Sequence, residues 1–479
     1  MKILFVTSEA APFAKTGGLA DVMGALPATL SAKRAGVRVM MPLYDCIAEE
    51  YRKNMKLLGS RYIKLGWRSV YCGLFELKLN GVVFYFIDNE YYFKRGELYG
   101  HFDDGERFAF FSRAAAELAQ NLPENWRPDI VHCHDWQTAL TGVYLRTEFS
   151  PAADDIKLIF TIHNIEYQGR YSRHVLGDVF GLPDSLFNGG TMEFCGGLNL
   201  MKAAIEMSDA VTTVSPTYAD ELSYAFYAHG LEGVIQNSRH KMRGILNGID
   251  TAIYDPATDP DVFENYDALT LEKKAANKTQ LQKILGLTPQ KKVPLIGMVT
   301  RLVSHKGLDL VAASLDAIMD IDAQFVVVGR GDWNFEQHFR NAGDIYKGRF
   351  SAQIMYSPSL ASKVYAGADI FLMPSKSEPC GLTQMIAMRY GTVPVTRETG
   401  GLRDTVTPYI AETKQGRGFT FANYNAQDMV YVLRSAAELY RSDPKAWRAL
   451  AASDMGVDFS WTQPAAQYMA MYREVSGKK

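Results

Sequence analysis

The chain has 479 residues, more than one ordinary hydrophobic core accommodates, so two domains of roughly 200 residues each are expected. Hydrophobic residues make up 47% and charged residues 22%, the balance of a globular protein, and a formal net charge of -2 argues against recruitment to nucleic acid or to an anionic membrane. The five cysteines are scattered and odd in number, and no apolar run suits a signal peptide or a membrane span, which favours a cytoplasmic protein with reduced thiols.

Short apolar runs recur through the first half of the chain, each bounded by turn residues and followed by a helical pattern. Continuous hydrophobicity is typical of strands buried on both faces, as in a parallel sheet covered by helices. The predicted strands are Ile3–Val6, Val37–Met41, Val82–Ile87, Ile130–His132, Leu158–Ile162 and Ala210–Val214. We therefore predict an α/β domain over residues 1–243.

The same pattern restarts in the second half and predicts another α/β domain over residues 261–460. Glycines, prolines and acidic residues interrupt regular structure over residues 244–260, which we interpret as a hinge. Residues 461–479 are predicted to include a helix that packs back across this hinge. The predicted strands of the second domain are Pro294–Val299, Gln324–Val328, Gln353–Met355, Ile370–Met373 and Val393–Val395. Open parallel sheets bind ligands at the carboxyl ends of their strands, so functional residues are expected there.

The first candidate site is the segment Lys15–Asp21, directly after the first predicted strand. Gly17 and Gly18 let the backbone approach an anion, the following helix directs N–H groups at it, and Lys15 adds a full positive charge. The segment therefore fits a phosphate site. On the glycine pair alone, a helix-entry turn with a solvated lysine explains it equally well.

A basic loop, Arg301–Gly307, follows the first predicted strand of the second domain. Arg301 and Lys306 could clamp the two phosphates of a nucleoside diphosphate, and arginine suits a bidentate contact. Such a clamp would stabilise a leaving group without a metal. Taken alone, a solvated basic loop is the simpler explanation.

The most informative segment is Pro374–Gln384, which also follows a predicted strand. Pro379 disfavours helix at the residue before it, so Glu378 is expected on a loop, while residues 381–383 present N–H groups at a helix start. A carboxylate is thus predicted beside an anion site. The alternative is that Glu378 only complements the helix dipole, which is worth ~0.3–1 kcal/mol.

Four motifs stand in a fixed order along nearly the whole chain, namely Lys15–Leu19, Asn247–Asp250, Arg301 with Lys306–Gly307, and Glu378–Leu382. Their combination resembles the bacterial glycogen synthase and starch synthase family, the ADP-glucose-dependent glycosyltransferase family 5. The resemblance implies the GT-B fold, in which two Rossmann-like domains face each other across a deep cleft. It also implies retention of anomeric configuration and no required metal.

The resemblance assigns a role to each matching position. Glu378, His163, Lys15, Arg301 and Lys306 are implied to act in catalysis, and Tyr356 matches the position that stacks on adenine, although a half-buried aromatic residue would look the same. The residues implied to hold the donor nucleotide are Lys15, Gly18, Arg301, Lys306, Tyr356, Gly381, Leu382 and Thr383. The residues implied to contact the sugars are Asp21, Asp135, His163, Asn247 and Glu378.

A zinc site at His132–Asp135 is an alternative that we reject, because consecutive residues of a strand point in opposite directions and cannot converge on one ion. His163 is the better candidate, since it lies at a strand end and the resemblance places it against the donor sugar. One departure concerns Ile386, which stands where many related enzymes carry a second glutamate and this family often carries tyrosine. Any role for a side-chain hydroxyl at that position is lost.

No side chain in these motifs is an obvious nucleophile, so we expect a front-face substitution in which the leaving phosphate assists the incoming hydroxyl. Two other functions stay open, a related transferase that makes a small product such as a disaccharide and a glycan-binding protein without activity. The residues do not decide between ADP-glucose and UDP-glucose, nor do they give the oligomeric state. The expected partners are ADP-glucose and an α-1,4-glucan such as glycogen, with no cofactor, nucleic acid or membrane.

Overall fold

The computed structural model describes residues 1–478, which divide into two compact units. The first unit consists of residues 1–248 together with the residues from Trp461 onward, and the second spans Ile249–Ser460. Each unit is built around its own sheet. The chain leaves the first unit after Gly248, inside the segment interpreted as a hinge.

The first unit contains a nine-stranded sheet in the order β12-β11-β7-β6-β1-β2-β5-β4-β3 and a small antiparallel sheet in the order β8-β10-β9, counted over the described residues. Its strands are β1 Lys2–Val6, β2 Gly36–Pro42, β3 Lys56–Leu65, β4 Arg68–Leu79, β5 Val82–Asp88, β6 Ile130–His134, β7 Lys157–Ile162, β8 Arg170–Tyr171, β9 Glu193–Phe194, β10 Gly197–Asn199, β11 Ala210–Thr213 and β12 Met242–Gly244. Its helices before the chain leaves the unit are α1 Gly18–Ala32, α2 Glu49–Arg52, α3 Glu90–Phe93, α4 Asp104–Ala119, α5 Ala139–Arg146, α6 Val175–Asp178, α7 Ser185–Asn188, α8 Leu200–Met207, α9 Pro216–Glu221, α10 Ala225–Ala228 and α11 Glu232–Asn237.

The large sheet is parallel from β12 to β5, as the apolar runs predict, but its β5-β4-β3 edge is antiparallel. The prediction of a parallel sheet is therefore confirmed from β12 to β5, and the antiparallel edge was not predicted from the sequence. β3 and β4 were missed because they carry few buried residues; in β3 only Ile63 and Leu65 are buried. Central strands such as β1 and β2 bury every residue after the first, which is why they were found.

The second unit contains a six-stranded, wholly parallel sheet in the order β15-β14-β13-β16-β17-β18. Its strands are β13 Leu295–Val299, β14 Gln324–Val328, β15 Phe350–Gln353, β16 Ile370–Met373, β17 Val393–Arg397 and β18 Phe419–Phe421. Its helices are α12 Lys274–Ile284, α13 Leu308–Ala313, α14 Leu315–Met319, α15 Trp333–Ile345, α16 Pro358–Gly367, α17 Thr383–Arg389, α18 Gly400–Thr405, α19 Ala426–Ser442 and α20 Pro444–Met455.

One predicted strand of this sheet is misplaced, and one strand was not predicted. The strand expected at Gln353–Met355 lies earlier, at β15, because Phe350 and Ser351 are the residues that the helices bury there. β18 was missed since it is a three-residue edge strand with only Phe421 buried. α19 is amphipathic, since Met429, Leu433 and Ala436 are buried on one face.

The final helix, α21 (Thr462–Ser476), belongs to the first unit, where it packs against α1. Tyr468, Met471 and Tyr472 on its inner face are fully buried. No helix among residues 1–478 is long and apolar enough to cross a membrane. All five cysteines are free thiols.

Candidate active site

Three neighbouring strands of the first unit carry polar residues at their carboxyl ends. Glu9 lies just beyond β1, Asp135 directly follows β6, and His163 directly follows β7. β6 pairs with β1 on one side and with β7 on the other, so these ends meet at one edge of the sheet. The predicted residues Asp135 and His163 are brought into contact there.

Asp135 adopts a backbone conformation that is uncommon outside glycine, with φ of 57°. One oxygen of its carboxylate accepts hydrogen bonds from the backbone N–H of His163 at 2.7 Å and of Asn164 at 3.4 Å. Burial is the main influence on the carboxyl and raises its pKa to about 7, although these two N–H groups oppose the rise. Asp135 thus fixes the backbone of the residue proposed to meet the sugar.

The imidazole of His163 lies against that of His134, with 2.9 Å between His163 Nε2 and His134 Nδ1. Burial lowers the pKa of His163 to about 3. The ring is therefore neutral at neutral pH, and it acts as a hydrogen-bonding group without a charge.

The rings of His132 and His134 lie on the same face of β6, with centroids 4.3 Å apart. Both nitrogens of His132 are already used, by the hydroxyl of Tyr472 at 2.8 Å and by that of Thr161 at 2.6 Å. Among residues 1–478, no group of three histidines, cysteines or acids could hold a metal ion. His132 is therefore committed to contacts within the protein at both ring nitrogens.

The Lys15–Asp21 segment is arranged differently from the phosphate loop expected. The Nζ atom of Lys15 lies 2.6 Å from the carboxylate of Asp21, and Gly18 begins α1. Burial raises the pKa of Asp21, although the charge of Lys15 opposes this. The two predicted residues therefore act as a pair.

Glu9, which the sequence analysis did not single out, holds this loop in place. Its carboxylate accepts hydrogen bonds from the backbone N–H of Thr16 at 2.5 Å, the hydroxyl of Thr16 at 2.7 Å and the backbone N–H of Gly17 at 3.3 Å. The hydroxyl of Tyr99 donates to the same carboxylate at 2.7 Å. The N–H groups of Thr16 and Gly17 are thus occupied by a protein carboxylate, whereas the predicted residue Gly18 lies outside this contact.

Asn247 completes the predicted residues of the first unit. Its side chain is buried, with 5% exposed, and its Oδ1 atom has no hydrogen-bond partner among the residues described. A buried amide oxygen without a partner is uncommon. This oxygen therefore remains available to accept a hydrogen bond from a ligand.

In the second unit, the ends of the adjacent strands β13 and β16 bring three predicted residues into two neighbouring loops. Lys306 lies in a 3-10 turn, Ser304–Lys306, and its Nζ atom contacts both carboxylate oxygens of Glu378 at 2.9 and 2.7 Å. The hydroxyl of Ser375 donates to the same carboxylate at 3.0 Å. Arg301 is exposed, and its guanidinium forms no ion pair within the described chain.

Glu378 is buried, with 6% exposed. Burial is the largest single influence and would raise the pKa of its carboxyl, but the charge and hydrogen bonds of Lys306, with the hydroxyl of Ser375, outweigh it and hold the pKa below the usual value. Glu378 is therefore a carboxylate at neutral pH. A fixed negative charge and a cation lie side by side at this strand end.

The loop after Glu378 leads into α17, which begins at Thr383 and has no side-chain cap at Leu382. Gly381 takes a φ of 71°, a left-handed conformation that suits glycine. The N–H groups of these three residues lie at a helix start, as predicted. Ile386, the residue at which this chain differs from many related enzymes, lies in the same helix. Its side chain is buried and packs in the hydrophobic core.

Tyr356 follows the edge strand β15, which β14 separates from β13. Its side chain is 74% exposed. It contacts neither Glu378 nor Lys306, so the structure does not bring it together with the ion pair. An exposed aromatic ring at this edge remains free to stack on a ligand.

The model for the starch synthase catalytic domain matches residues 2–237, and the model for glycosyl transferases group 1 matches residues 282–451. The glycogen synthases of Geobacillus thermodenitrificans and Geobacillus stearothermophilus are each 48% identical over 482 residues, which cover 100% of this chain and 99% of theirs. The chain belongs to the glycogen and starch synthase family. Members are retaining glycosyltransferases with the GT-B fold, and the predicted fold class and family are thus confirmed.

One solved structure supports membership of this family, and a second shares only the fold. The catalytic domain of starch synthase IV from Arabidopsis thaliana, bound to ADP and acarbose, superposes with a TM-score of 0.93 at 36% identity, covering 99% of each chain. Sucrose-phosphate synthase from Thermosynechococcus elongatus superposes with a TM-score of 0.60 at 17% identity, which shows a shared fold alone.

Proposed function

We propose that this member of the glycogen and starch synthase family transfers glucose from ADP-glucose to the non-reducing end of an α-1,4-glucan, in glycogen synthesis. The observation that carries the proposal is the Glu378–Lys306 ion pair on adjacent strand ends, with Arg301 exposed in the loop that also carries Lys306. The names of the full-length relatives and the ADP in the starch synthase IV structure support it.

The donor diphosphate is held by positive charge and backbone N–H groups. Arg301 and Lys306 are the side chains placed for this, and the N–H groups of residues 381–383 add neutral donors at the start of α17. Because these groups neutralise the leaving diphosphate by themselves, we expect transfer to proceed without a metal ion.

Each unit has polar groups suited to a sugar that are fixed before a ligand binds. Glu378 is a carboxylate with a defined position, His163 is a neutral ring held by Asp135 and His134, and Asn247 offers an unpaired amide oxygen. Each can accept from or donate to a sugar hydroxyl. Tyr356 offers its exposed face to the adenine base.

The chemical step is a substitution at the anomeric carbon on the face from which ADP leaves. The bond from that carbon to the phosphate oxygen breaks with its electron pair going to ADP, and the bond to the 4-hydroxyl oxygen of the acceptor forms. The hydroxyl proton passes to the departing phosphate. Retention follows without a side-chain nucleophile, and the protein contributes by stabilising the charge that develops on ADP.

The experiment is glucose incorporation into glycogen from labelled ADP-glucose and UDP-glucose, in the presence of EDTA. Incorporation from ADP-glucose that resists EDTA is expected. Glu378→Gln should lower kcat by about 100-fold or more, as expected for a lost charge at the reacting centre. The kcat values of Lys306→Ala and Lys15→Ala should also fall strongly.

Two exposed lysines are matched controls. Lys347 precedes β15 at the amino-end edge of the same sheet, and Lys33 caps the far end of α1. Lys347→Ala and Lys33→Ala should leave activity unchanged. No incorporation from either donor, or products no longer than a disaccharide, would contradict the proposal.

A further inference from the structure

Three imidazole rings lie in contact, tilted relative to one another, at the carboxyl edge of β6 and β7. His132 and His134 are fully buried, their centroids lie 4.3 Å apart, and the His134 and His163 centroids lie 5.2 Å apart. Burial lowers the pKa of all three rings. All three are neutral, so each carries a single hydrogen on one of its two nitrogens.

The hydrogen of His134 can be assigned from its surroundings. Its Nδ1 lies 2.9 Å from His163 Nε2, whereas its Nε2 is buried without a hydrogen-bond partner in the described chain. A buried N–H without a partner costs more than a buried ring nitrogen with an unused lone pair. The hydrogen therefore belongs on Nδ1 of His134.

This assignment determines the hydrogen of His163. His134 Nδ1 donates, so His163 Nε2 accepts and must be unprotonated. The hydrogen of the neutral His163 ring is then on its Nδ1. That atom makes no hydrogen bond with any protein group among residues 1–478, and His163 is the partly exposed member of the three.

We propose that His134 is a positioning residue that holds His163 in the Nδ1–H tautomer, so that His163 presents a hydrogen-bond donor to an oxygen of the donor sugar. The tautomer follows from the protein's own contacts. Only the identity of the accepting oxygen rests on the proposed function.

His134 itself packs against the rings of His132 and Phe5. The His132 ring on one side is fixed at both nitrogens, by Tyr472 and by Thr161, whose hydroxyl continues to that of Thr212 at 2.6 Å. The ring of Phe5 lies 5.6 Å away. His134 thus has little freedom to turn and exchange its nitrogens.

The decisive measurement is the nitrogen NMR spectrum of the full-length protein labelled with 15N-histidine, in which protonated and unprotonated ring nitrogens have distinct shifts. His163 is assigned from the signals that His163→Gln removes. Protonated Nδ1 with unprotonated Nε2 is the expected result. The opposite pattern, or a doubly protonated ring at neutral pH, would overturn the proposal.

Two variants of His134 distinguish the effect of its N–H hydrogen-bond donor from the effect of removing the imidazole ring. His134→Asn keeps an N–H donor near the position of Nδ1, so it should preserve the tautomer and keep kcat/KM within about threefold of the native value. His134→Leu removes the donor, so it should give a mixture of His163 tautomers and lower kcat/KM about tenfold. If neither variant shifts the tautomer signals, His134 does not determine the tautomer of His163.

The tautomer signals do not depend on activity. An enzyme that used another donor sugar would fail the incorporation assay and still show the Nδ1–H pattern. A change in melting temperature shared equally by both variants would mark a structural effect, whereas the tautomer shift is expected in His134→Leu alone.

Discussion

Glu378 and Lys306 form an ion pair that is largely removed from water, with 8% and 18% of their side chains exposed. The two charges compensate each other, and burial alone would raise the pKa of Glu378. The pair is therefore more sensitive to loss of one partner than to loss of both.

Lys306→Met should lower the free energy of unfolding by about 3 kcal/mol, because it leaves a buried carboxylate without its cation. The double variant Lys306→Met/Glu378→Gln should recover more than half of that loss. Urea unfolding of both variants measures the difference. A double variant less stable than the single one would contradict this account.

His163 predicts how stability responds to acid. Its pKa is about 3 in the folded chain and about 6.5 in an unfolded one, so between these values only the unfolded chain takes up the proton. The free energy of unfolding should therefore fall as the pH is lowered from about 6.5, by up to about 1.4 kcal/mol per pH unit for this group. His163→Gln should reduce that slope, as measured by urea unfolding at several pH values; an unchanged slope would refute it.

The loop that carries Glu378 contacts the start of α18. The N–H of Gly401 donates to the carbonyl of Glu378 at 3.2 Å, and a Cβ atom at Gly401 would lie 2.1 Å from the carbonyl oxygen of Cys380. Only glycine fits there without moving the loop. The position of the carboxylate thus depends on a helix that is distant in sequence.

Gly401→Ala should displace this loop and lower kcat about 100-fold, since a shift of about 1 Å at a reacting centre has that effect. Gly343→Ala is the matched control, because Gly343 lies inside α15 with no atom within 4 Å of its added methyl group. The control should gain up to about 1 kcal/mol in stability and keep full activity. Equal activity in both variants would show that the loop tolerates the methyl group.

The elements differ in how well the sequence predicts them. Central strands are found because both faces are buried, whereas the exposed hairpin β3–β4 has no such run. Glycine-rich and proline-containing motifs identified three candidate site residues, Lys15, Lys306 and Glu378. Glu9 and His134 were missed because their roles lie in contacts such as that between His134 and His163, which no local pattern records.

At the scale of the molecule, the first unit is discontinuous in sequence, since the chain leaves it at Gly248 and returns at Trp461. The returning helix α21 buries Tyr468, Met471 and Tyr472, and the hydroxyl of Tyr472 reaches His132 at 2.8 Å across 340 residues of sequence. The surroundings of His132 are thus built from segments that are far apart in the sequence.

A variant that ends at Ser460 should lose much of its stability, because each of these large side chains contributes about 1.5–3 kcal/mol through burial. Activity should fall with it, since His132 loses a partner. A variant that ends at Ser476 keeps the whole of α21 and should stay within about 0.5 kcal/mol of the native protein. Thermal melting and incorporation assays compare the two; a stable, active variant ending at Ser460 would show that α21 is dispensable.

The discontinuity of the first unit also sets the order of events on the ribosome. All its sheet strands have been made once Gly244 is added, but α21 follows only after the whole of residues 249–460. At about 5–20 residues per second, translation of that stretch takes roughly 10–40 s. The unit whose synthesis begins first is therefore the last to be finished, and during that interval the apolar surface that α21 later covers lacks its partner.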